Sequence, residues 1–143
     1  MNLMMLLEMA SSGFGERTAF QNGSESFTYQ ELFDAAGAAA TEFQKSGCER
    51  IAVLDTNSLA IPLAVFGSSW AGIPFSPLNY RLTGNELEAL AERIAPSYLV
   101  TDSERMETLD GLPGATLVSR DDFLARSRDG STREGDWSMD GEE

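Results

Sequence analysis

Few side chains in this sequence are placed to do chemistry. Arg81 follows Asn79 and Tyr80 in a loop after a short apolar run. Its guanidinium presents a fixed fork of donors suited to phosphate oxygens, so it is the candidate anion-binding residue; an ordinary solvated arginine is the plainer reading. Ser58 ends the polar turn Asp55-Thr56-Asn57-Ser58, with no His or Lys base in view. Helix capping therefore outweighs nucleophilic catalysis for Ser58. The acidic pairs Asp121–Asp122 and Glu142–Glu143 are adjacent in sequence, a poor spacing for separate acid and base roles, and read as solvated. Phosphate cradles need closely spaced glycines between a strand and a helix. No apolar strand precedes Gly13-Phe14-Gly15, and Gly111 and Gly114 bracket a proline, so both are read as plain loops. The chain has no histidine and one cysteine, Cys48. That removes His-based triads, His metal sites and intrachain disulfides, and fits a reducing, cytoplasmic compartment. Type and spacing identify no catalytic residue and no metal ligand.

The frame for these residues is the stretch Ile51–Pro77. Ile51–Leu54 is a short apolar run with β-branched residues, which predicts a buried strand. Ser58–Ala71 is apolar on nearly every face, as in a helix sealed inside a protein. Gly72 stops it, and Ile73–Phe75 begins a second strand. Strand, crossover helix and strand make a βαβ unit, which should be right-handed. The turn Asp55–Ser58 then lies at a strand's carboxyl end, where open α/β sheets bind ligands.

The remaining elements are layers on this unit. Asn2–Ala10 predicts a short helix with Leu3, Leu6, Leu7 and Ala10 on one face, followed by a flexible break over Ser11–Gly15. Arg17–Phe20 and Ser26–Phe27 predict a hairpin around Asn22-Gly23. Thr28 and Glu31 stand at capping-box spacing and open an Ala-rich helix that Gly47 ends. Thr83 and Glu86 form a second such pair, before the stripe Leu87, Leu90, Ala91 and Ile94; Pro96 stops that helix. Tyr98–Val100 and Thr116–Val118 predict two further strands. Asp102 or Ser103 caps a short helix to Leu109, and Ser119 with Asp122 caps another carrying Phe123 and Leu124. From Arg128 to Glu143 the chain is polar and mostly acidic, with Trp137 and Met139 isolated. The expected organisation is one α/β subdomain over residues 1–127, with a mainly parallel sheet and flanking helices, and an acidic linker or tail over 128–143.

Composition narrows the partners. The chain has 143 residues, 42% of them hydrophobic, enough for a packed core. Its net charge of −13 makes nucleic acid and anionic membrane poor partners. No stretch reaches the roughly 18 apolar residues of a membrane span. The opening MNLMMLLEMA lacks the basic start of a signal peptide and reads as an amphipathic helix.

Four short motifs, in order, resemble the start of the adenylate-forming (AMP-binding) superfamily of acyl- and aryl-CoA ligases, luciferases and peptide-synthetase adenylation domains. FTYQEL at Phe27–Leu32 is similar to the family's "(Y/F)TYxEL". IAVLDTNS at Ile51–Ser58 is similar to "VAVLLPNS". SSWAGIPFSPLNYRLTGNEL at Ser68–Leu87 is similar to "LKAGAVYVPLNPRLPAEEL", and SYLVTD at Ser97–Asp102 matches the strand that follows. The likeness covers about Phe14 to Asp102 closely and the remainder loosely.

The resemblance implies an incomplete N-terminal subdomain of an acid–CoA ligase. Such enzymes convert a carboxylic acid, for instance a fatty acid, and Mg·ATP to an acyl-adenylate, then transfer the acyl group to CoA. The family's phosphate loop, magnesium-site glutamate and mobile C-terminal domain would all come later than Glu143. Glu134, Asp136 and Glu142 do not replace them. The resemblance carries one functional position onto this chain: Arg81, at the arginine of the "NPRL" loop, which in some CoA ligases approaches the phosphates of CoA. Tyr80 replaces the usual proline before it. Asn57 and Ser58, at the "NS" position, are expected to be structural. The chain alone is expected to be inactive and to bind no cofactor by itself; ATP, Mg and CoA belong to the complete enzyme. Its expected partner is the remainder of that enzyme, or a second copy, through exposed apolar surface. The alternatives are a non-enzymatic protein-binding module and a fragment of a peptide-synthetase adenylation domain.

Overall fold

The computed structural model describes residues 3–55, 58–79, 81–82, 84–109 and 114–129. Helix α1 spans Leu3–Phe14, and the hairpin strands β1 and β2 span Thr18–Asn22 and Glu25–Thr28. Then follow α2 (Tyr29–Ser46), β3 (Arg50–Leu54), α3 (Ala60–Ala71), β4 (Phe75–Pro77) and α4 (Gly84–Ile94). The last elements are β5 (Ser97–Thr101), α5 (Ser103–Thr108), β6 (Ala115–Ser119) and α6 (Arg120–Asp129).

Strands β3 to β6 form one parallel sheet in the order β4-β3-β5-β6, as the βαβ pattern predicts. Side chains alternate across it because successive residues of a strand point to opposite faces. Ile51, Val53, Tyr98, Val100 and Val118 pack with residues of α1, α2, α3 and α6 in the larger core. Ala52, Leu54 and Leu99 pack on the other face with Leu87 of α4 and Leu109 after α5. The molecule is thus an α/β fold with helices on both sides of a parallel sheet. Pro77 sits in β4, an edge strand, where a missing N–H breaks no central ladder.

Helix α2 is the main packing element. Its capping box forms both ways: the Glu31 N–H donates to Thr28 Oγ1 at 3.1 Å, and the Thr28 N–H donates to Glu31 Oε1 at 2.8 Å. Gly47 closes the helix at φ 75°, a left-handed conformation that favours glycine. The alanine run brings α3 close. A Cβ on Gly67 would lie 3.0 Å from both Ala39 Cβ and Phe43 Cε2. Phe43 also stacks 5.7 Å from Phe123 and meets Tyr98 edge-on at 4.8 Å. Burying a side chain of this size is worth about 1.5–3 kcal/mol, so this aromatic cluster is a large share of what holds the layers together.

Several expectations are corrected. The first helix continues through the expected break, to Phe14. There the Arg17 N–H donates to the Phe14 carbonyl, and the Arg17 guanidinium lies over the Phe14 ring. It buries Met4, Leu7 and Ser11, while Leu6 is exposed. Residues 3–7 are all apolar, so hydropathy left the facing open, and docking on α2 and α3 chose it. The hairpin strands run further into the turn than expected, leaving Gly23-Ser24 with Gly23 at φ 65°. Helix α3 starts at Ala60, and it is not sealed: Ile61, Pro62, Val65 and Phe66 are only partly covered. The strand expected to begin at Ile73 begins at Phe75. The Asp102 carboxylate caps α5 by accepting from the Arg105 N–H at 2.7 Å, and Ser119 Oγ accepts from the Asp122 N–H at 3.2 Å. Helix α6 runs two residues past Ser127, to Asp129. The Thr83 cap, Tyr80, and the linker or tail with Trp137 and Met139 lie outside the described residues, apart from Arg128 and Asp129.

Candidate functional site

The carboxyl ends of the parallel strands are where an open α/β sheet presents ligands, and β3 and β5 flank the point where the chain reverses direction across the sheet. The buried Thr101 hydroxyl donates to the Leu54 carbonyl at 2.7 Å and ties these two strand ends together.

An internal ion pair occupies this edge. Asp55 follows β3, and Arg120 opens α6 just after β6. Arg120 Nη1 donates to both Asp55 carboxylate oxygens at 3.0 Å. The Asp55 side chain is 1% exposed and that of Arg120 32%. Partial burial of Arg120 disfavours its charge. The Asp55 charge and hydrogen bond outweigh this, with help from Asp121 and Asp102, and the net result raises the Arg120 pKa above the ordinary arginine value. The guanidinium therefore stays charged. Sequence reading did not find this pair, because its members are 65 residues apart and only the fold brings the two strand ends together.

Ser58 and Asp121 line a hollow together with Arg120. Ser58 Oγ accepts from the Ala60 N–H at 3.2 Å, at the entry to α3, which is a capping geometry. Asn57 lies outside the described residues. Arg81 is exposed, in the loop after β4. That loop is shaped by Asn79, whose side-chain oxygen accepts from the Arg81 N–H at 2.9 Å and whose carbonyl accepts from the Leu82 N–H at 3.1 Å. The Arg81 guanidinium forms no ion pair with a described residue. Asp121 and Asp122 begin α6, where carboxylates complement the positive helix end.

Next to the Arg81 loop, between α4 and α5, is a cleft of about 430 Å³ lined by Leu82, Leu87 and Leu109 with Asp102, Glu104 and Arg105. Among the described residues, no group of three or more His, Cys, Asp or Glu side chains is placed to hold a metal ion. No helix among them is long and apolar enough to cross a membrane. Leu6, Met9, Phe14 and Phe20 are large apolar side chains exposed on α1 and the hairpin.

Comparison with known proteins agrees with this architecture. The chain is 31% identical over 104 residues to a feruloyl-CoA synthase from an Amycolatopsis species, covering 71% of this chain and 21% of that protein. It is 31% identical over 110 residues to the nonribosomal peptide synthetase ivoA of Emericella nidulans, covering 75% of this chain and 6% of that protein. The chain therefore spans about a fifth or less of the length of these curated relatives. The crystal structure of a benzoate CoA ligase from Burkholderia xenovorans superposes with a TM-score of 0.84 at 19% identity, over 99% of this chain and 31% of that one. A family model described as AMP-binding enzyme matches residues 7–139. Sheet order, motif order and this match together establish that the chain belongs to the AMP-binding, adenylate-forming enzyme family, as an N-terminal part of an acyl-CoA-ligase-like protein.

Proposed function

We propose that this chain is the N-terminal scaffold of a cytoplasmic acid–CoA ligase that works through an acyl-adenylate. In the complete reaction the acid carboxylate attacks the α-phosphorus of ATP, and pyrophosphate leaves. The CoA thiol then attacks the acyl carbon, and AMP leaves. In this reading ATP and magnesium are held by the remainder of the enzyme. What this part offers is Arg81, and that is the observation carrying the reading. Its guanidinium is exposed at the strand edge, on a loop held by Asn79. There it would hold a phosphate of CoA by charge-assisted hydrogen bonds and orient the thiol-bearing arm. The partner of residues 1–143 is the remainder of the enzyme, and the exposed apolar side chains of α1 and the hairpin are the surface offered to it.

The test is Arg81→Ala in the full-length protein. The KM for CoA should rise about tenfold, the value of one charge-assisted contact of about 1.5 kcal/mol. Acid-dependent exchange of pyrophosphate into ATP should be unchanged. Loss of exchange with an unchanged KM for CoA would overturn the assignment. Residues 1–143 alone should release no pyrophosphate and form no acyl-CoA.

The likeness to a nonribosomal peptide synthetase favours a second reading, an adenylation domain that loads a carrier-protein thiol. Release of AMP that depends on CoA supports the ligase; loading of a carrier protein with no response to CoA supports the alternative.

A further inference from the structure

We infer that α6 is a salt-sensitive strap, clamped across the main core by arginines and able to undock while the parallel sheet stays folded. Of its ten residues only Phe123, Leu124 and Ser127 are buried. Phe123 and Leu124 anchor the helix in the core, and its charged residues add an electrostatic attachment around them. Three arginines supply it, each tied to a different element. Arg120 pairs with Asp55 at the end of β3. Arg126 Nη1 meets Glu42 Oε2 of α2 at 3.4 Å, with the Arg126 side chain 56% exposed. Arg128 Nη2 donates to the Ser26 carbonyl of β2 at 2.8 Å, and its guanidinium lies 4.0 Å from the centroid of the Phe27 ring.

This arrangement sets α6 apart from the elements beside it. Strand β5 is held by parallel ladders on both sides, and every one of its residues is buried. Its opening requires the sheet to come apart. Helix α6 lies outside the sheet and shares no ladder. The Arg126 and Arg128 clamps are exposed to solvent, so ions at high concentration screen them, while the Arg120 pairing with the buried Asp55 is screened less and apolar burial is not weakened by salt. Undocking would remove Phe123 from Phe43 and Tyr98, and would free the helix that carries the chain toward residue 130. The free-energy scale of local opening in proteins runs continuously from fraying ends to global unfolding, and an element of this kind belongs at its lower end.

The experiment is amide hydrogen exchange read by mass spectrometry on residues 1–143, at about 20 mM and about 1 M NaCl. Peptides over Arg120–Asp129 should exchange about tenfold faster in high salt, and peptides over Ser97–Thr101 should not change. The triple variant R120Q/R126Q/R128Q should exchange rapidly over α6 at low salt and lose the salt response. If that variant fails to fold, R126Q/R128Q retains the buried Asp55 pairing and should still shift α6 about threefold. Exchange of α6 and β5 at one common rate under all conditions would overturn the inference, as would an α6 rate indifferent to salt.

Discussion

Two glycine-to-alanine substitutions separate helix propensity from packing. Gly67 and Gly13 are both helical, in α3 and α1. Alanine at either site gains about 0.5–1 kcal/mol of helix propensity. At Gly13 a Cβ would meet nothing within 4 Å, so that gain should appear in full. At Gly67 the Cβ would lie 3.0 Å from Ala39 Cβ and from Phe43 Cε2. Carbon atoms at rest sit about 3.5–4.0 Å apart, so α2 and α3 must separate by roughly 0.5–1 Å or Phe43 must turn. Phe43 cannot turn freely, because Tyr98 and Phe123 hold its other sides. Overpacking of this kind costs about 1–3 kcal/mol, and with propensity subtracted Gly67→Ala should lose about 1–2 kcal/mol. For a domain of this size that lowers the urea midpoint by roughly 0.5–1 M at an unchanged slope, while Gly13→Ala raises it. Urea unfolding followed by far-UV circular dichroism reads both. A midpoint for Gly67→Ala that rises alongside that of Gly13→Ala would show that the helix pair has room, and the packing argument would fall.

Other outcomes follow from buried polar groups. Arg120→Met leaves the Asp55 carboxylate, 1% exposed, without its main partner. It should cost about 2–3 kcal/mol, below the full penalty of a buried pair because Arg120 is partly solvated. The double variant Asp55→Asn/Arg120→Met should recover at least half of that loss in urea titrations; equal stability of single and double variants would refute a buried-charge penalty. The Tyr98 hydroxyl is buried and has no hydrogen-bond partner among the described residues. Tyr98→Phe keeps the ring contacts with Phe43 and Phe123 and should leave stability unchanged or raise it by about 1 kcal/mol. A loss of more than 1 kcal/mol on that scale would mean the hydroxyl is bonded after all.

What the sequence determined is whatever local chemistry controls. Apolar strand runs, capping pairs and glycine stops are read within a few residues of where they act. Thr28 with Glu31, Gly47, Asp102 and Ser119 therefore marked their helix ends correctly, and the alternation of strands and helices foretold a parallel sheet. The motif order also carried the family. Tertiary structure decided everything that depends on which surfaces meet. The run at residues 3–7 is apolar all round, so only contact with α2 and α3 could turn Met4 and Leu7 inward and leave Leu6 outside. Helix α3 looked sealed because its residues are apolar, yet burial depends on neighbours, and these cover only one side fully. The Asp55–Arg120 pair, made across 65 residues, and the arginine clamps of α6 are long-range electrostatic contacts with no local signature. Charges announce their presence in a sequence, but a pair exists only once the fold has fixed the distance between them.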